Sequence, residues 1–171
     1  MSLFQNIYGV LFKPSDTFKY LNINYSPSVL LQAALVLLLA NLLSQGLSIS
    51  SLMGSMINWF FFSSLFFLTA YIFVLSGTDY WKTMAVLAFA NAPLVFLAPL
   101  QILSVTNPII AILLKLAISL WVFNLSLVAI SEICSIAKKK TFLLYLIPPL
   151  AISFIFVSFI AGFISKIATM M

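Results

Sequence analysis

The 171-residue chain has no histidine and one cysteine, Cys134. An intramolecular disulfide is therefore excluded, and so are the usual zinc and haem ligand sets, which draw on His and Cys. A single thiol does not define a redox compartment. Arginine is missing as well, since all eight basic residues are lysines. Without planar guanidinium forks, and with the lysines split between short loops, the net charge of +5 points to anionic lipid headgroups and not to nucleic acid. The acids are only Asp16, Asp79 and Glu132. No close acid pair lies within a hydrophobic run, and the sequence carries no nucleophile elbow or glycine-rich phosphate loop. It predicts no enzyme and no cofactor or metal.

Charge itself is the largest deficit: 6% of residues are charged and 64% hydrophobic, against roughly 25% and 45–50% in soluble globular proteins. Eleven charges (8 + 3) cannot coat 171 residues, so lipid must face much of the surface. A membrane span needs about 20 mostly apolar residues to cross about 30 Å of hydrocarbon. Five stretches qualify: 28–48, 54–76, 83–105, 108–134 and 142–166. Turn chemistry separates them at Ser44, Gly46 and Ser48–Ser51, at Ser76-Gly77-Thr78-Asp79, at Asn107-Pro108 and at Lys138–Lys140. The third break is the shortest, with Pro99 as an alternative place for a bend. The expected fold is all-α, a polytopic integral membrane bundle of five transmembrane helices (28–171) preceded by an interfacial segment (1–27).

Five spans place the termini on opposite sides, which the lysines can test. The N-terminus, second loop and fourth loop hold Lys13, Lys19, Lys82, Lys138, Lys139 and Lys140, whereas the other side holds only Lys166. The positive-inside rule then makes the N-terminus cytoplasmic and the C-terminus external. Residues 1–21 lack a continuous apolar region before a small-residue cleavage site, so the first span is expected to serve as an uncleaved anchor. Before it, Leu3, Phe4, Ile7, Tyr8, Leu11 and Phe12 recur at helical spacing, with Ser2, Gln5, Asn6 and Gly9 opposite. That is the pattern of an interfacial helix, stopped by Pro14, with Ser15 and Asp16 placed to cap the next turn, Phe18 and Leu21 dipping towards the acyl chains and Lys13 and Lys19 near headgroups.

Several polar residues stand inside or beside the spans. Asn41, Asn91 and Asn124 fall near the midpoints of the first, third and fourth spans. Interhelical hydrogen bonding is the preferred reading of these amides, and a shared polar midplane site for a solute is the alternative. Lys115 is the one charge well inside a span, an intramembrane cation and hence a functional candidate. Glu132 lies 17 residues away on the same helix, about 26 Å, too far to pair. Snorkelling of Lys115 to the outer interface is preferred, with Glu132 among the headgroups. Pro93, Pro99, Pro148 and Pro149 predict kinks, while Ala88 with Ala92 and Ser158 with Gly162 predict close helix approach. Asp79 reads as an N-cap with Lys82 in the following turn, and Tyr80 and Trp81 read as an interfacial anchor. Lys138, Lys139 and Lys140 read first as a topology determinant and then as a lipid or partner contact. Trp59, Lys82-Thr83 and Pro93 faintly echo Trp121, Lys140-Thr141 and Pro148, as a duplicated hairpin would.

Three segments carry a family resemblance. "YGVLFKPSDTFKYL" (8–21), "SGTDYWKTMAVLAFANAPLV" (76–95) and "LWVFNLSLVAISEICSIAKKKTFLLYLIP" (120–148) resemble the lead-in, the second-to-third turn and the fourth span with its basic turn in prokaryotic-type members of the Yip family. Those are five-span membrane proteins whose eukaryotic members were named for interacting with Ypt/Rab GTPases. The eukaryotic Asp-Leu-Tyr-Gly-Pro motif is reduced here to "NIYGV", so GTPase binding is not carried over. The resemblance implies a prokaryotic-type member, and together with the one-sided lysines and the absence of catalytic groups it points to a non-catalytic membrane organiser or adaptor with a cytoplasmic-face protein partner, or a homo-oligomer. A small-solute or ion transport component is the alternative.

Overall fold

A computed structural model describes residues 2–45, 48–74 and 79–147, together with residues 150 and 153. Among these, all regular structure is helical. The first helix, α1 (Leu3–Phe12), starts at a reciprocal cap. Ser2 Oγ accepts from the Gln5 backbone N–H at 3.4 Å, and Gln5 Oε1 accepts from the Ser2 N–H at 2.9 Å. Pro14 then supplies the first residue of α2 (Pro14–Ile23), where its missing N–H costs nothing.

Longer helices follow: α3 (Pro27–Gln45), α4 (Ile49–Val74), α5 (Tyr80–Ala90), a 3-10 turn (Ala92–Phe96), α6 (Leu97–Thr106) and α7 (Pro108–Cys134). Residues 138–147 are helical again. Four stretches are long and apolar enough to cross a bilayer, namely Pro27–Ser44, Ile49–Phe73, Tyr80–Thr106 and Pro108–Cys134. They correspond to the first four spans expected from sequence. Of the fifth, 142–166, residues 142–147 lie in the helical stretch 138–147, and nearly all the rest falls outside the described residues. Pro148, Pro149 and the Ser158/Gly162 pair lie there as well.

Two boundaries differ from the sequence reading. Helix α4 begins at Ile49 instead of near 54, because Ser48 and Ser50 act as helix-start residues, not as a turn. Their hydroxyls meet at 2.7 Å, and the Ser48 carbonyl accepts from Leu52 N–H at 3.0 Å. The third span is not one helix. Pro93 has no N–H to continue the ladder, so the chain passes through the 3-10 turn before α6 resumes. Pro99, by contrast, sits inside α6.

Helix α5 is the centre of the bundle, packed against α3, α4 and α7, with every residue from Thr83 to Ala90 buried. An apolar helix buried on all sides is a core helix. Because lipid tails are as apolar as leucine, its packing cannot be driven by escape from water. Dispersion at close range must hold it, which Ala85, Ala88, Ala90 and Ala92 permit by keeping side chains short. Large apolar side chains such as Phe61, Ile72, Ile112 and Leu116 instead face outward from α4 and α7, as a lipid-facing surface requires.

Candidate functional site

Polar chemistry gathers in two places, the lysine-rich end of the bundle and a cavity within it. At the lysine-rich end, α2 is fastened to α7 through one residue. Ser15 Oγ donates to the Glu132 carboxylate, and Asn22 Nδ2 donates to the Glu132 carbonyl at 3.2 Å. Glu132 thus does more than sit among headgroups, and sequence had no means of pairing positions more than a hundred residues apart. Helix α1 is held separately, by Asn6 Nδ2 donating to Gln32 Oε1 on α3 at 2.8 Å.

These bonds fix which side of α1 looks outward. Asn6 and Val10 are buried against the bundle, while Phe4, Tyr8 and Phe12 are 80%, 62% and 66% exposed. Sequence placed Asn6 on the outer, polar face. The structure turns it inward, where its Nδ2 donates to Gln32 Oε1 at 2.8 Å while its Oδ1 has no partner among the described residues. The result is an aromatic ridge one turn apart along α1, with the Tyr8 and Phe12 rings 4.7 Å between centroids. Lys138, Lys139 and Lys140 are all exposed at the start of the helical stretch 138–147. They follow a turn in which Ser135 adopts a left-handed conformation (φ 52°).

Asp79 caps α5 as expected, accepting from Trp81 N–H at 2.8 Å. Trp81 is exposed, but Tyr80 packs inward, its hydroxyl 3.0 Å from Ser64 Oγ on α4. Between α2 and α3, burial and then the Asp79 carboxylate raise the Tyr25 phenol above its ordinary pKa of 10.0. The protonated phenol is the form favoured by folding, so this contribution is complete below pH 10 and fades only above it.

The three asparagines do not converge on one site. Asn41 is buried near the end of α3, where its Oδ1 accepts from Ser51 Oγ at 2.8 Å and its Nδ2 donates to the Ser51 carbonyl at 3.4 Å. It ties α3 to the first turn of α4. Asn124 is exposed on α7. Asn91 closes α5, with its Nδ2 donating back to the Leu87 carbonyl at 2.8 Å. Lys115 is exposed on α7 beside Ser44, Leu97, Gln101 and Ser119. Gln101 Nε2 donates to the Ser44 carbonyl there, joining α6 to the end of α3.

Of the three asparagines, only Asn91 reaches the cavity, a space of about 240 Å³ between α4, α5, α7 and the helical stretch 138–147. Ser63, Phe66, Ser126 and Tyr145 also line it. Tyr145 packs between Phe66 and Phe123, at centroid distances of 4.5 and 4.9 Å. Trp59 forms part of the wall and donates from Nε1 to the Met84 carbonyl at 2.9 Å, pinning α4 to α5. Ser63 and Tyr145 were not singled out by sequence, since a serine and a tyrosine in apolar runs show no periodic signal.

A helical bundle with bilayer-length apolar helices, a lipid-facing aromatic surface and polar groups bonded inside it defines an integral membrane protein. Residues 8–160 match the family model of the Yip1 domain. The chain belongs to the Yip1 domain family of membrane proteins, as the three resembling segments implied. Comparison with the curated proteins and with the solved structures gives no match.

Proposed function

We propose that the protein is a non-catalytic organiser or adaptor of a prokaryotic cytoplasmic membrane. In this reading its N-terminus is cytoplasmic, its C-terminus is external and residues 1–27 form an interfacial segment. The observation that carries it is the α1–α2 pair: one face is bonded to the bundle through Asn6 and Glu132, and the other presents Phe4, Tyr8 and Phe12 outward. A rigidly held apolar ridge with Lys13 and Lys19 close by suits the headgroup–acyl boundary of an anionic leaflet. The exposed lysines Lys138–Lys140, at the start of the helical stretch 138–147, offer a separate contact for a protein partner or a second copy of the chain.

Site-specific photo-crosslinking from Lys138, Lys139 and Lys140 in intact cells tests the adaptor role. Discrete adducts, to a partner or to another copy, are expected. Their absence, together with a monomer that purifies alone in mild detergent, would overturn it. Reporters fused to the two ends test the orientation, which fails if both report the same compartment. A second reading, passage of a small solute or ion, draws on the Asn91 cavity. It requires liposome flux that Asn91→Leu reduces, and unchanged flux removes it.

A further inference from the structure

The walls of the Asn91 cavity are chemically specific. Among the described residues that line it none is charged, so an ionised ligand would find no counter-charge there. Several of its polar atoms are already engaged. Ser126 Oγ donates to the Val122 carbonyl at 2.9 Å, and Asn91 Nδ2 is used by Leu87 at 2.8 Å, which leaves Asn91 Oδ1 to accept.

Ser63 is left free as well. It is 1% exposed, and its hydroxyl has no hydrogen-bond partner among the described residues. Its neighbours on α4 behave differently: Ser64 and Thr69 each donate to the carbonyl four residues back, both at 2.7 Å. A hydroxyl withheld from both water and backbone in a lipid-surrounded bundle is costly unless something else bonds it. The space is large enough for that something. About 240 Å³ is roughly eight times the share of liquid volume taken by one water, ample for a three-carbon polyol head.

Access decides what kind of molecule enters. On the α4 side the lining residues Asn58 and Phe62 are themselves exposed, so the mouth lies on the outer side of α4, the side that meets lipid in a membrane-spanning bundle. We propose that this cavity binds the uncharged, hydroxyl-bearing head of a membrane amphiphile, of the monoacylglycerol class. The head hydroxyls bond Ser63 Oγ and Asn91 Oδ1 beside the Tyr145 phenol, and the acyl chain leaves past Asn58 and Phe62 into lipid. A hydroxyl suits both positions because it donates to the amide oxygen and either donates to or accepts from serine. The assignment does not rest on the adaptor reading, since none of its residues belongs to α1, α2 or Lys138–Lys140.

The test uses the full chain in phosphatidylcholine nanodiscs, with native mass spectrometry counting adducts of 1-oleoylglycerol, methyl oleate and phosphatidylglycerol. One saturable 1-oleoylglycerol adduct per chain is expected, with methyl oleate, which keeps the chain and lacks the hydroxyls, at least about tenfold weaker. Ser63→Ala should weaken the glyceride by about three- to tenfold, as loss of one hydrogen bond does. Ser63→Leu, which fills the space, should abolish binding, while Ser119→Ala on α7, outside the cavity, should change nothing. The methyl oleate comparison needs no variant and decides the matter even if Ser63→Leu fails to fold. No glyceride adduct, equal adducts with methyl oleate, tighter binding of phosphatidylglycerol, or indifference to Ser63→Ala would each overturn the proposal.

Discussion

Gly9 shows how much one absent methyl can decide. A Cβ there would overlap Thr17 Oγ1 and lie 3.1 Å from Thr17 Cγ2, so glycine is what lets α1 close onto α2. Thr17 cannot easily turn away, because its hydroxyl donates to the Lys13 carbonyl at 2.9 Å. Gly9→Ala should therefore destabilise the protein by about 1–3 kcal/mol, the usual range for overpacking. Thr17→Ala introduced into that variant should recover most of the loss, and independent effects of the two changes in thermal unfolding would refute the packing account. Asn41 is a residue-scale case where sequence marked an amide for interhelical hydrogen bonding and misjudged its depth, and the structure supplies the partner. Counting from a span of 28–48 put it near mid-membrane, but α3 ends at Gln45 and the amide is spent on Ser51. Asn41→Leu should cost about 0.6–1.7 kcal/mol, as intramembrane hydrogen bonds do. Unfolding in increasing denaturing detergent measures it, and Ser51→Ala added to that variant should cost little more.

At the scale of elements, α5 carries the strongest expectation. Ala88 is fully buried at the point where α5 meets its neighbours, so Ala88→Leu should destabilise the bundle by about 1–3 kcal/mol. Leu113→Ala on the exposed face of α7 should stay within about 0.5 kcal/mol, since most of that side chain faces away from the bundle. Equal effects of the two in the same unfolding assay would mean that α5 is not the core. The small-residue spacing of Ala88 and Ala92 made this contact legible in the sequence, and so did Pro93 as the place where the helix changes form. What sequence could not give was the rotation of each helix. Uniformly apolar spans lack the polar face that marks the solvent side of a soluble helix. Asn91 and Asn124 therefore looked alike, although one lines a cavity and the other faces out.

For the whole molecule, the scarcity of charge made the membrane class and the first four spans readable. The attachment of α1 and α2 was not, because it depends on Asn6 meeting Gln32 and on Ser15 and Asn22 meeting Glu132 across the fold. In the proposed reading a second anchor, to lipid, acts on the same segment, and the two can be separated. Full burial of a phenylalanine-sized side chain is worth about 1.5–3 kcal/mol. Half of that from each of Phe4, Tyr8 and Phe12 sums to about 2–4.5 kcal/mol, more at its midpoint than the single Ser15 bond to a carboxylate, at about 1.5–3 kcal/mol. Changing the three aromatics together to serine should then speed tryptic cleavage at Lys13 and Lys19 in inside-out vesicles by about tenfold or more, with cleavage after Lys138–Lys140 unchanged. Glu132→Ala, which removes only the Ser15 bond, should speed it by less. The reverse ranking would mean that the bundle alone holds α1 and α2, leaving the aromatic ridge free for a protein instead of lipid.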